Sequence, residues 1–197
     1  MTMIAEAPVA PVRDWDPPAA FPLGRFEGSP HDVGLAHGRL FGDRVLGSIR
    51  VHRALIERTG LPWPQAQALA EKGRTLMQLV EPALAEELDG IAEGAEVDPR
   101  DLYAINFRVS LSRIATPPSP IAEEPECTTA AALGAVTADG HTLLAQNWDQ
   151  NSDLQANLVV IEQRIPGQPA LLFVTEAGRL FLHGMNDAGV GVVGNAL

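Results

Sequence analysis

Apolar positions fall into two regimes along the chain. Up to about residue 114 they recur every three to four residues, the spacing of helices with one buried stripe; after residue 127 they come in short runs cut by turn residues, the habit of strands. Phe21 to Glu27 reads as a short opening strand. Ser29-Pro30-His31-Asp32 reads as a helix start, with Ser29 as cap, Pro30 at the first helical position and Asp32 at the positive end of the dipole. Val33, Ala36, Leu40, Val45 and Ile49 carry this helix to about Arg58, and Gly60 stops it. A second helix is predicted from about Pro64 to Val80, with Ala66, Leu69, Leu76 and Leu79 on its apolar side. A third begins near Glu81-Pro82 and ends around Gly90 to Gly94. Asp98-Pro99-Arg100-Asp101 announces a fourth, which runs through Leu102, Ile105 and Val109 to about Ile114.

Residues 115–126 read ATPPSPIAEEPE, a run whose prolines suit neither a helix interior nor a central strand, so they form a linker. Strands are then predicted at Thr128 to Thr137, His141 to Trp148, Leu158 to Ile165, Ala170 to Thr175, Arg179 to Met185 and Val190 to Asn195. The turns between them are Asp139-Gly140, a hairpin signal, the polar loop Asn151 to Asn157, Pro166 to Pro169, Glu176-Ala177-Gly178 and Asn186 to Gly189. Helices first and strands afterwards give an α+β fold, a helical part at 21–114 followed by an antiparallel sheet from 127 onward. Residues 1–20, rich in Pro and Ala, read as a flexible extension. Val190 to Leu197 resembles the middle of a buried strand, so 127–197 is expected to hold only the first strands of its sheet, in the front part of a longer protein.

Composition narrows the function. At 197 residues and 46% hydrophobic, the chain suits one domain with a core. A net charge of −11 disfavours nucleic acid and anionic membrane surfaces. Lys72 is the one lysine, and no phosphate-binding G-x-x-x-x-G-K occurs. There is no signal segment and no long apolar run, so the expected compartment is the cytoplasm, with no membrane partner. The five histidines lack zinc-ligand spacing and read as surface or satisfied side chains. The glycines from Gly184 to Gly194 lack the strand–helix context of a dinucleotide site. No metal and no cofactor is expected.

The candidate chemistry sits at Cys127, the single cysteine, where the linker meets the first strand of the sheet. A structural cysteine belongs in an apolar surround; a nucleophile suits this junction, which offers access on a fixed backbone. An internal cysteine here suggests amino-terminal-nucleophile (Ntn) chemistry, with attack on the carbonyl of Glu126 and release of a free α-amine on Cys127. A free α-amine titrates at about 7.7–8.0 and an ordinary thiol near 8.5, close enough for the amine to act as base. Gln146-Asn147-Trp148-Asp149 ends the strand that the Asp139-Gly140 hairpin returns to the Cys127 strand. By strand alternation Asn147 and Asp149 share a face, and Asp149 comes near Cys127; the alternative is that Asp149 starts the polar loop. A Cys127–His183–Asp149 triad is the other arrangement the residues allow.

These residues carry a resemblance. Gly28-Ser29-Pro30 with Gly34 and His37-Gly38, Leu88 to Ala95, Asn106-Phe107-Arg108, Cys127-Thr128-Thr129, Gln146 to Asp149, Thr175 to Gly178, Asn186 to Val190 and Asn195 to Leu197 come in the order of the penicillin (acyl-CoA:6-aminopenicillanic acid / isopenicillin N) acyltransferase family of cysteine-type Ntn hydrolases, which the chain resembles. The resemblance implies an αββα sandwich and self-cleavage between Glu126 and Cys127. It implies Cys127 as nucleophile, Asp149 as a second active-site residue, and cleaved pieces that stay associated as a heterodimer; Asn147, on the face of Asp149, is a third candidate catalytic residue. The implied activity is acyl hydrolysis or transfer on a small amide or thioester, acyl-CoA among the candidates. Glu126 stands where the penicillin enzyme has glycine. A truncated or inactive relative is the alternative expectation.

Overall fold

The helix start expected at Ser29 forms as a capping box: the Ser29 hydroxyl accepts from the Asp32 N–H (3.2 Å) and the Asp32 carboxylate accepts from the Ser29 N–H (3.0 Å). The computed structural model describes residues 21–114 and 127–195. The expected extension at 1–20 and the expected linker at 115–126, Glu126 included, lie outside the described residues, as do 196–197. Strand β1 (Leu23–Glu27) leads into helix α1 (Pro30–Arg58), kinked at Phe41, then α2 (Trp63–Val80), α3 (Pro82–Ala95), α4 (Pro99–Asn106) and α5 (Arg108–Ile114). Strands β2 (Thr128–Ala132), β3 (Leu143–Asn147), β4 (Leu158–Arg164), β5 (Leu171–Glu176), β6 (His183–Asn186) and β7 (Gly191–Val192) follow. The molecule is a mixture of helix and sheet, as the α+β reading expects.

Several expectations need correction. The fourth helix is broken at Phe107, because the Asn106 side chain donates to the Leu102 carbonyl and turns out of the helix to bond elsewhere. The sheet is mixed: its order is β1-β4-β5-β6-β7, and β1 runs parallel to β4 while the other pairs are antiparallel. The polar stretch before β4 winds into a 3-10 turn, Ser152–Asn157, capped by the Asn151 side chain. Leu40, Leu76, Leu79 and Val109 are exposed, Leu79 at 82%; α2 buries only its first half, through Trp63, Ala66 and Ala70. The last two strands are also shorter than their apolar runs. The hairpin across Asp139-Gly140 does form, β2 pairing with β3 in the register Thr128↔Asn147.

The core lies between the helices and one face of the five-stranded sheet. Val45, Ile49, Leu88, Ile91, Leu102 and Ile105 meet Phe26, Val159, Ile161 and Phe173 there. On the other face Leu172 and Met185 are exposed. The β2–β3 hairpin stands by itself as a second, two-stranded sheet, tied to the end of β7 by Gln146, whose amide bonds both the carbonyl (2.7 Å) and the N–H (3.3 Å) of Gly194.

Helices α1 and α3 cross at backbone contact. A Cβ on Gly34 would lie 2.1 Å from the Glu87 carbonyl oxygen, and one on Gly38 would lie 2.3 Å from that of Ile91. The reciprocal positions match: Gly90 would strike the His31 carbonyl at 2.3 Å and Gly94 that of Leu35 at 2.2 Å. Each helix thus offers glycines four residues apart, one turn, to the other's backbone. Gly42, one turn further on, has only an ordinary contact at 3.9 Å. Gly34→Ala is therefore expected to destabilise by about 2 kcal/mol, overpacking outweighing the roughly 1 kcal/mol an alanine gains in a helix. Gly42→Ala is expected to be neutral or stabilising, and urea midpoints distinguish the two.

At this crossing α3 also buries Glu87, which accepts from the Gln163 side chain of β4 (3.2 Å). Burial raises its carboxyl from 4.5 to about 7, against the smaller lowering effect of Gln163. The folded chain therefore holds a proton that the unfolded chain has lost between these values, so this contribution to stability is full below about pH 4.5 and fades as pH rises through about 7. Glu87→Gln is expected to remove this dependence: relative to wild type it gains roughly 3 kcal/mol at pH 8.5, a difference that shrinks to nothing at pH 4, measured by urea denaturation at both.

Candidate active site

Cys127 is part-buried and directly precedes β2. The β2–β3 ladder closes at Thr128↔Asn147, so Cys127 stands at the open end of the hairpin, beside Trp148 and Asp149. Its Sγ lies 3.9 Å from the backbone carbonyl oxygen of Asp149, a reach that suits a weak S–H donor. The contact is to the main chain of Asp149; its side chain is exposed, as is that of Asn147. Trp148 is half-buried, packed edge-to-face on His183 with ring centroids 5.1 Å apart. His183 is thereby placed beside the hairpin end, and burial followed by the charge of Arg179 lowers its pKa from the usual value. A groove of about 360 Å³ elsewhere, between the α1 kink and the end of α3, is lined by Arg39, Phe41, Arg44 and Glu96 and by none of these residues. Among the described residues no group of three His, Cys, Asp or Glu side chains is placed to hold a metal ion. No helix among them is long and apolar enough to cross a membrane.

Gln150 connects the hairpin end to a second cluster, which is buried. Its side-chain amide donates to Glu176 Oε1 (3.3 Å), and its Oε1 accepts from the Asn151 N–H (3.1 Å). Glu176, at the end of β5, is 0% exposed. Oε1 also accepts from Arg179 (3.0 Å), and Oε2 bonds His52 Nε2 of α1. Burial alone would push this carboxyl up; His52, Arg179 and Arg108 outweigh it and hold it down at about 2. For His52 burial dominates and lowers its pKa, opposed by Glu176 and reinforced by the two arginines. At neutral pH the pair is a carboxylate accepting from a neutral imidazole, and an acceptor-only carboxylate fixes the His52 proton on Nε2.

The rest of this turn is equally tied down. The Ala177 N–H donates to the Asn157 carbonyl (2.9 Å) and the Gly178 N–H to His37 Nε2 (3.1 Å). Asn106 donates to the Gly178 carbonyl (3.0 Å) and accepts from the Leu180 N–H (3.1 Å). His37 is fully buried, and burial lowers its pKa to about 4, so it accepts as a neutral ring. His37 and His52, two of the three histidines of α1, are buried core side chains. What sequence reasoning missed is Gln150, His52, Asn106 and Arg179 as one network. The available signal was Glu176 itself, an acid closing the apolar run Leu171 to Val174, which asks for a buried partner.

Over 172 residues the chain is 29% identical to the acyl-coenzyme A:6-aminopenicillanic-acid-acyltransferase (40 kDa form) of Emericella nidulans, covering 87% of this chain and 46% of that protein. The chain is a distant relative of that acyltransferase. It spans about half the length of the curated relative it matches. No protein-family model matches it.

A buried charge stripped of one partner is costly. Glu176→Gln leaves the largely buried Arg179 without its carboxylate and is expected to destabilise by about 3–5 kcal/mol, read as a lower urea midpoint. Glu57→Gln, at the exposed Arg53–Glu57 pair, is expected to leave the midpoint unchanged.

Proposed function

We propose that the protein is a self-processing cysteine acyl hydrolase or acyltransferase of the Ntn type, acting on amide or thioester bonds through a thioester at Cys127. The observation that carries this reading is the position of the thiol: part-buried, at the open end of the β2–β3 hairpin, next to the Asp149 main chain. Distant kinship to an acyl-CoA-dependent acyltransferase supports the chemistry. The Cys127 sulfur attacks the Glu126 carbonyl and the peptide nitrogen leaves as an amine, taking the thiol proton. Water then hydrolyses the thioester, giving the Glu126 carboxylic acid and regenerating the thiol. The freed α-amine becomes the base that activates the thiol beside it, which the amide nitrogen before cleavage is too weakly basic to do.

In turnover the sulfur attacks a substrate acyl carbon, the amine or thiol leaving group departs with a proton, and water or an amine takes the acyl group. Asp149, with Asn147 on the same rim, supplies the polar groups that orient the ammonium and the substrate. No cofactor is needed for these steps. An αββα sandwich is the architecture that the reading implies. The cleaved pieces stay together as a heterodimer, because the core crosses the cut: β1 pairs with β4, His37 bonds Gly178, His52 bonds Glu176 and Glu87 bonds Gln163.

Intact mass under denaturing conditions tests the reading. Wild type is expected to give two pieces, the second beginning at Cys127; Cys127→Ser is expected to slow cleavage and Cys127→Ala to abolish it. Cleavage that survives Cys127→Ala removes the mechanism. A single uncleaved wild-type species points to an inactive relative.

A further inference from the structure

The stretch from Trp148 to Asn157 is held at both ends by one turn of the buried sheet. Near its start Gln150 donates to Glu176 Oε1, and at its end the Asn157 carbonyl accepts from Ala177. Between them Asn151 caps the 3-10 turn by accepting from the Asp153 N–H (2.9 Å). Both ends of the Gln150 amide are engaged, so its backbone and side chain are fixed together. Asp149, whose carbonyl faces the Cys127 sulfur, is the residue directly before it. Glu176 is itself immobilised by His52 and Arg179.

We propose that Glu176 is a positioning residue for Cys127: its buried carboxylate holds the Gln150 amide, and through it the Asp149 carbonyl, so that the thiol at the hairpin end keeps one orientation. The proposal rests on the reading of Cys127 as the nucleophile. It gives the buried cluster a task beyond stability. The sheet turn, which cannot move without exposing a charge, sets the geometry of a group that must itself stay accessible. Gln150 is the one side chain on this path that can be changed without removing a buried ion.

The test uses Gln150→Leu and Gln150→Lys in the full chain, with wild type alongside. Cys127 is the only cysteine, so iodoacetamide labelling reads it alone. Gln150→Leu removes the donor. It is expected to melt near wild type, to label at least ~3-fold faster as the thiol is released from its carbonyl, and to cleave roughly 10-fold more slowly as the attacking geometry is lost. Gln150→Lys restores a donor to Glu176 and is expected to return both rates toward wild type. A side chain that merely fills space would not be rescued by lysine. Wild-type labelling and cleavage in Gln150→Leu overturn the proposal, and so does a Gln150→Lys protein as impaired as Gln150→Leu. Should Gln150→Leu unfold, Gln150→Glu, of the same length but with a like charge and no ionised-state donor, replaces it, and rates equal to those of Gln150→Lys overturn the proposal. A wild type that never cleaves defeats the functional reading instead, while the labelling comparison still decides the positioning.

Discussion

The turn Glu176-Ala177-Gly178 is the joint on which the two halves of the molecule meet. A carboxylate buried without partners costs several kcal/mol, and a buried unpaired N–H or carbonyl costs about 1–3. Here the partners come from several elements: His52 and His37 on α1, Asn106 at the end of α4, Asn157 before β4, and Gln150 beside the hairpin. Gly178 has φ +91°, and a side chain at that position would also press on Leu102, Val45 and Ile105. The turn cannot shift by itself, because a displacement breaks hydrogen bonds to several elements at once.

That joint closes only if α1 lies where its histidines can reach. His37 and His52 are 15 residues apart, about four helical turns, and so project toward the same side. The glycine crossing with α3 holds α1 at backbone distance from its neighbour. A thicker crossing would lift α1 away from the sheet and draw both imidazoles off the turn. The close approach of α1 and α3 and the polar joint are thus one constraint seen from two sides, the first set by sterics and the second by the cost of burying charge.

Much of this was legible in the sequence, and the limits follow from physics. Caps and first-turn prolines act within four residues, so Ser29, Pro30, Asp98 and Pro99 mark their helix starts within a residue or two. The hairpin at Asp139-Gly140 is equally local, and it brings Cys127 to Asp149. Burial is a property of neighbours, so Leu76 and Leu79 kept the helical period and lost the core. The parallel pairing of β1 with β4 joins positions 137 apart, Leu23 with Val160, and no local signal encodes it. Asn106 was hidden for the opposite reason: in sequence it continues a helix, and only its distant partners Gly178 and Leu180 explain why the helix stops. The segments on which the family resemblance rests, around Gly34, His37, Gly90, Asn106 and Glu176, meet in space at the crossing and the joint. The resemblance therefore records how the fold is built at least as strongly as how its chemistry works.

This bears on how the thiol must be held. A nucleophile has to be open to its substrate, and an open group on a peripheral two-stranded hairpin has few contacts to fix it. The β2–β3 hairpin is largely exposed, and among the described residues its polar links to the body are Gln146 on Gly194 and the residues that follow β3. The rigid turn lies next to it, already immobilised because its carboxylate is buried. In the proposed arrangement, coupling the two through Gln150 gives Cys127 order without full burial. The same charge that would endanger the fold if left unpaired becomes, once paired, the fixed point against which an accessible sulfur is aligned.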